Sequence, residues 1–138
     1  MDRVRIPPTV GIVGALLAAV LVLAPYALPE AGTAEIAAYY DYGIAGPWLV
    51  LVCGLLAVVA FASGRQGRTP HDTAAGAGLA LGVAMFLFGG LWATAVPIEA
   101  VRPVTPNWWF EYHRWAVVAI AVIVPVAAGW YARELELF

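Results

Sequence analysis

Apolar residues run through this chain in four long blocks. Residues 6–29, 42–64, 73–98 and 115–132 contain no Asp, Glu, Lys, Arg or His. Each block is at or near the roughly 20 residues that carry a helix across about 30 Å of hydrocarbon. A helix of a soluble bundle keeps a polar face for water. Four such blocks in succession, joined by short polar connectors, leave no such face anywhere. The pattern predicts an all-α fold, a four-helix transmembrane bundle that forms one integral membrane domain over 1–138, with spans at about 9–27, 45–63, 73–96 and 114–132.

The punctuation between and within the blocks refines this layout. Pro7 and Pro8 stand where a helix can begin, since a missing amide donor costs little there. Pro25 bends or ends the first span. SGRQGRTPHD, residues 63–72, reads as a polar hairpin, with Asp72 or Thr73 capping the third span. The third span carries Gly76, Gly78, Gly82, Gly89 and Gly90 with Ala75, Ala80 and Ala84 among them, and the first carries Gly11 and Gly14. Small residues three or four apart let backbones approach closely, so the third span is expected to be the most tightly packed. Pro125 leaves the carbonyl of Ala121 without its usual partner and predicts a kink in the fourth.

Composition sharpens the membrane reading. Hydrophobic residues make up 63% of the chain and charged ones 12%, against roughly 45–50% and about 25% in soluble domains. The basic residues set an orientation as well. Arg3, Arg5, Arg65, Arg68 and Arg133 flank one side of the spans, and only Arg102 and Arg114 the other. Arginine-rich short flanks stay in the cytoplasm, so both termini are expected there, in a multi-pass protein of the cell membrane. Arg3 and Arg5 ahead of an apolar run with small residues near Ala24 also fit a secretory signal; the block is read as a permanent span. The outer loops then hold Glu30, Glu35, Asp41, Glu99 and Glu111 against two arginines. That acidic face disfavours nucleic acid as a partner and leaves membrane lipids, other membrane proteins or further copies of the chain. Cys53 is the single cysteine, so an intramolecular disulfide or a cysteine metal cluster is excluded.

An internal echo links the two halves. YYDY at 39–42 and WFEY at 109–112 share the order aromatic, aromatic, carboxylate, tyrosine, and each leads to a tryptophan that opens the next span, Trp48 or Trp115. Upstream, LPE at 28–30 and VPIE at 96–99 each follow a span. Halves 1–64 and 65–138 thus read as two parallel helical-hairpin repeats about an axis along the membrane normal. Convergence is the competing explanation, because membrane interfaces favour aromatic residues generally.

Ionisable residues at membrane depth mark enzymes and ion-coupled transporters, and the four blocks contain none. The interior polar groups expected are Cys53, Thr94 and Ser63. No cofactor is expected: His71 belongs to the inner connector and His113 to the outer edge, so they cannot share a haem. Glu111, His113 and Asp41 or Glu99 could offer zinc ligands, yet their spacing matches no metal motif. Phosphate loops, nucleophile elbows and zinc-protease motifs are missing from the sequence. The chain is read as one that is not an enzyme.

One stretch remains, NWWFEYHRW at 107–115. Aromatic rings with a polar edge settle at headgroup level, which makes a belt the default explanation. A folded outer cap is the sharper one. It would bury the indole of Trp108 or Trp109, pair Glu111 with Arg114 at helical spacing, and bring Tyr40, Asp41 and Tyr42 beside Trp108, Trp109, Glu111, Tyr112 and His113 as a ligand or partner contact. By length, arginine usage without lysine and layout, the whole chain resembles small four-span integral membrane proteins of unknown function from halophilic archaea. GGLW at 89–92 is similar to the GLW of the first outer loop of claudins, but it lies within the third span and the paired outer cysteines of that family are missing, so no claudin function carries over. The function expected is a structural or accessory role, by assembly with itself or other membrane proteins. The alternative is a binder or carrier of an isoprenoid, quinone, carotenoid or lipid beneath the cap. A small channel or exporter is less well supported, since nothing polar lines a path.

Overall fold

The computed structural model describes residues 2–44 and 46–137. Its helices are α1 (Asp2–Leu23), α2 (Thr33–Tyr40), α3 (Gly46–Arg65), α4 (His71–Ala95), α5 (Ile98–Val101), α6 (His113–Ala121) and α7 (Ile123–Glu134), with 3-10 turns at Ala24–Ala27 and Trp108–Tyr112. Four helical segments are long and apolar enough to cross a membrane: Arg3–Ala27, Gly46–Arg65, His71–Ala95 and Trp108–Glu134. Consecutive spans are neighbours, and the fourth closes the ring by packing on the first. This is the expected all-α four-helix bundle. The start of α1, the end of α7 and the turn at 66–70 lie at one end, here the terminal end; the two long connections lie at the other, the capped end.

Small residues point inward and large ones outward. Gly14, Ala15 and Ala18 of the first span, Cys53, Gly54 and Ala57 of the second, Gly78 and Gly82 of the third, and Ala121 and Ala128 of the fourth are buried. Leu16, Leu17, Val20, Leu55, Leu56, Val59, Phe86, Leu87 and Val126 are exposed. A soluble bundle does the reverse. Lipid tails are as apolar as leucine, so such helices gain by close backbone approach and not by hiding large side chains. Phe61, Met85, Trp92 and Tyr131 are the large exceptions within the spans, and Phe61 has a slot made for it. A Cβ placed on Gly11 or on Gly78 would come 2.5 Å from its ring, so these two glycines form the slot that admits it.

The third span's glycines divide by direction. Gly78, Gly82 and Gly89 face neighbours, whereas a Cβ on Gly76 or Gly90 would meet nothing within 4 Å. Gly82 makes the tightest backbone approach: its Cβ would lie 2.6 Å from the Pro125 nitrogen and 2.9 Å from its Cα. Backbone cannot rotate aside as a side chain can. Gly82→Leu is therefore expected to cost about 1–3 kcal/mol by overpacking, while Ala119→Leu, at an exposed position of α6, costs little. Unfolding in mixed micelles with rising dodecyl sulfate measures both. Equal losses would mean that Gly82 faces lipid.

Two boundary expectations and one of burial are corrected. Pro7 and Pro8 lie within α1, which begins earlier, at Asp2; the carbonyls they leave free belong to Arg3 and Val4, at the polar end where water is at hand. The third span begins at His71 behind Pro70, and Asp72 sits inside its first turn, accepting the Thr73 amide at 2.8 Å. Thr94 is exposed, with its hydroxyl donated back to Gly90 and Leu91 of its own helix at 2.9 and 3.2 Å. The fourth span does break at Val122, between α6 and α7, as Pro125 requires.

Candidate functional site at the capped end

α2 packs at the capped end, beside α3 and α5. Ile36, Tyr39 and Tyr40 fall three and four residues apart and are buried together, while Glu35 occupies its first turn, where the helix dipole favours a carboxylate. Gly43 has a φ of +78°, and an added Cβ there would lie 3.0 Å from the Trp92 Cα. A side chain would be strained at that angle and in that space, so glycine lets the chain turn tightly over the third span. Glu30 then clasps the second connection: its Oε1 accepts from Thr105 Oγ1 and from Asn107 Nδ2, both at 3.0 Å.

Beneath this clasp lies an aromatic cluster. Tyr39 packs on Tyr40, Trp92, Phe110 and His113, with ring centroids 5.1 to 5.7 Å apart. The His113 ring stacks on Phe110 at 4.9 Å, nearly parallel. Three polar groups of the cluster serve the end of a helix. Pro25 has no N–H to give to the Leu21 carbonyl four residues back, and His113 Nε2 reaches that carbonyl at 2.6 Å. The Tyr40 hydroxyl donates to the carbonyl of Val22, and the Trp92 indole N–H to that of Tyr39 at 2.9 Å. Carbonyls in the last turn of a helix lack intrahelical partners. The cap supplies them from its own side chains.

This bonding fixes the chemistry of His113. A carbonyl only accepts, so Nε2 carries the proton. The neutral ring then accepts at Nδ1, which lies 2.9 Å from the Tyr39 hydroxyl. Burial holds the phenols of Tyr39 and Tyr40 well above the ordinary tyrosine range, so both remain protonated donors. Both ring nitrogens of His113 are thus engaged by protein atoms.

The residues singled out from the sequence separate into three places. Tyr40 and His113 belong to the buried cluster, His113 being only 6% exposed. It is an ionisable side chain at the edge of the fourth span, as expected, but buried, because Pro25 leaves free an acceptor there that a ring N–H can fill. Tyr42 lines an open groove of about 390 Å³ with Glu35, Ala38 and Glu99, while Asp41 is exposed. Trp108 and Glu111 line a separate hollow with Arg102 and Thr105. Trp108 is 74% exposed and Trp109 47%, so neither is the buried indole; Trp92 is. Trp108 stacks edge-on with Tyr112, and both are exposed. Tyr40, Asp41 and Tyr42 do not partner them.

Two further corrections concern charge. Glu111 faces Arg102 at 3.8 Å and not Arg114. Arg114 turns toward Trp115, 5.6 Å from its ring centroid, and its Nε and Nη1 are buried without a hydrogen-bond partner among the described residues. The stretch therefore faces two ways: Phe110 and His113 turn inward, while Trp108, Trp109, Tyr112 and Trp115 turn outward. Tyr39, Trp92, Phe110 and Glu30 were missing from the expected site. YYDY and GGLW pointed at the first two, but period and composition do not say which ring of a cluster is buried.

Among curated proteins and among solved structures, nothing matches the chain. A family model described as a family of unknown function, DUF7548, matches residues 1–136, and the chain belongs to that family.

Proposed function

We propose that this is a multi-pass membrane protein without enzymatic activity of its own, whose role is structural: lateral assembly through the lipid-facing side of α4 with a second copy or another membrane protein. The observation that carries this reading is the outward face of that helix. Gly76 and Ala80 are spaced four apart on it, as are Gly90 and Thr94 further along, with open space at both glycines. Val83 and Leu87 stand between the two pairs, so the close approach is at the two ends of the face, whereas the exposed faces of the first and second spans carry Leu16, Leu17 and Val20, and Leu55, Leu56 and Val59. Pairs of small residues on a lipid-facing helix allow another helix to approach closely. Carriage of a hydrophobic molecule beneath the cap is disfavoured, because that space is filled by Tyr39, Tyr40, Trp92 and Phe110.

Cysteine cross-linking in native membranes tests the reading. On a Cys53→Ala background, Ala80→Cys is expected to form a discrete oxidised dimer or adduct, and Gly76→Leu with Gly90→Leu to suppress it. Leu16→Cys, on the outward face of the first span, serves as control. Equal adducts from Leu16→Cys would rule out α4 as the contact. The same background fixes orientation: with both termini cytoplasmic, Gly67→Cys is shielded in intact cells from an impermeant thiol reagent, and labelling there reverses the topology.

A further inference from the structure

At the terminal end, two adjoining hollows of about 450 and 360 Å³ are both lined by Arg5 and Arg65. Ile6 and Thr9 complete the first; Val4, His71 and Leu135 complete the second. Among the described residues no carboxylate lines either hollow and neither arginine enters a salt bridge. An arginine at a membrane edge ordinarily extends toward headgroup water. Arg65 instead bends back to α1: its Nε donates to Thr9 Oγ1 at 2.9 Å, and the Thr9 hydroxyl donates in turn to the Arg5 carbonyl at 2.7 Å. This fixes the guanidinium through one nitrogen, and its two Nη groups keep the planar fork that suits a phosphate. Ile6, 47% exposed, adds an apolar wall beside the cationic one.

A cationic rim over an apolar wall, where helices leave hydrocarbon, matches an amphiphile with an anionic head. We propose that Arg5 and Arg65 form a binding site for a phosphate group, supplied by the headgroup of an anionic membrane lipid or by free phosphate. The site rests on the membrane-spanning part of the reading above and is independent of lateral assembly through α4.

The test titrates the purified protein in detergent with phosphatidylglycerol, phosphatidylcholine or inorganic phosphate, read by native mass spectrometry. Phosphatidylglycerol is expected to be retained over phosphatidylcholine. Arg5→Gln and Arg65→Gln are each expected to raise its Kd about fivefold, the scale of one basic residue at an anionic surface, and Arg102→Gln, at the opposite end, to leave it unchanged. Retention that millimolar phosphate does not displace identifies the lipid headgroup; arginine-dependent displacement identifies free phosphate. Equal retention of the two lipids, an unchanged Kd in both glutamine variants, or an equal loss in Arg102→Gln overturns the site. Arg5→Gln leaves the Thr9 tether intact and keeps the test open should Arg65→Gln loosen the bundle, which lipid-free melting reports. Alkaline extraction of the same membranes separates the two claims. Protein washed off sinks the membrane reading itself, whereas protein that stays embedded but ignores phosphatidylglycerol sinks only this site.

Discussion

Trp92→Ala is expected to be the most damaging single truncation in the protein, at about 3–5 kcal/mol. The indole is wholly buried where the third span meets the cap, against Tyr39 and Tyr40. In a bilayer the gain from leaving water is small for a ring already among apolar neighbours. The cavity left behind costs the same in any solvent, since surrounding atoms lose contacts they cannot replace. A second loss comes with it, because the Trp92 N–H is the partner of the Tyr39 carbonyl at the end of α2. Trp92→Phe isolates that second loss: most of the ring volume remains, the carbonyl is stranded, and about 1–3 kcal/mol is expected. Trp108→Phe and Trp109→Phe should change little, since both indoles are largely exposed. Unfolding midpoints in mixed micelles rank the four variants. A Trp108→Phe loss as large as that of Trp92→Phe would move the anchor of the cap back to the NWWFEYHRW stretch.

Much of the bundle was legible because hydrocarbon imposes a rule readable one residue at a time. Charge-free blocks of sufficient length become spans, so 42–64 became α3 and 73–98 became α4 with little change at their ends. Pro125 could be read for the same reason, as its missing donor is a property of the residue itself. The cap was only half legible. That YYDY and WFEY lie on the same side of the spans followed from topology, but which ring turns inward depends on contacts between segments tens of residues apart. Tyr40 and Phe110, at matching places in the echo, are both buried, while Tyr39 is buried and its counterpart Trp109 is not. The difference follows local geometry: Tyr39 sits on a full turn of α-helix, and Trp109 on a 3-10 turn that directs it outward. The burial of His113 was not legible because its acceptor is created by a proline in another span, and no pattern local to 107–115 records Pro25.

That proline makes the sharpest remaining prediction. If the Leu21 carbonyl is free because Pro25 cannot donate, and His113 fills it, then His113→Leu strands two groups at once: the Leu21 carbonyl and the Tyr39 hydroxyl. Each buried unsatisfied group costs about 1–3 kcal/mol, and leucine, though similar in bulk, restores neither bond. Tyr39→Phe removes only the hydroxyl and leaves His113 Nδ1 without its donor, so its cost should be about that of one stranded group. The double variant then separates coupling from packing. Because the two side chains share one hydrogen bond, the combined loss should fall short of the sum of the single losses by about 0.5–3 kcal/mol. His113→Gln supplies the rescue: its amide can donate to the Leu21 carbonyl while its oxygen accepts from Tyr39, so it should lose less than His113→Leu. Strictly additive losses, together with a glutamine variant no better than leucine, would show that His113 acts here as a packed ring against Phe110 and not as the donor that replaces the missing amide.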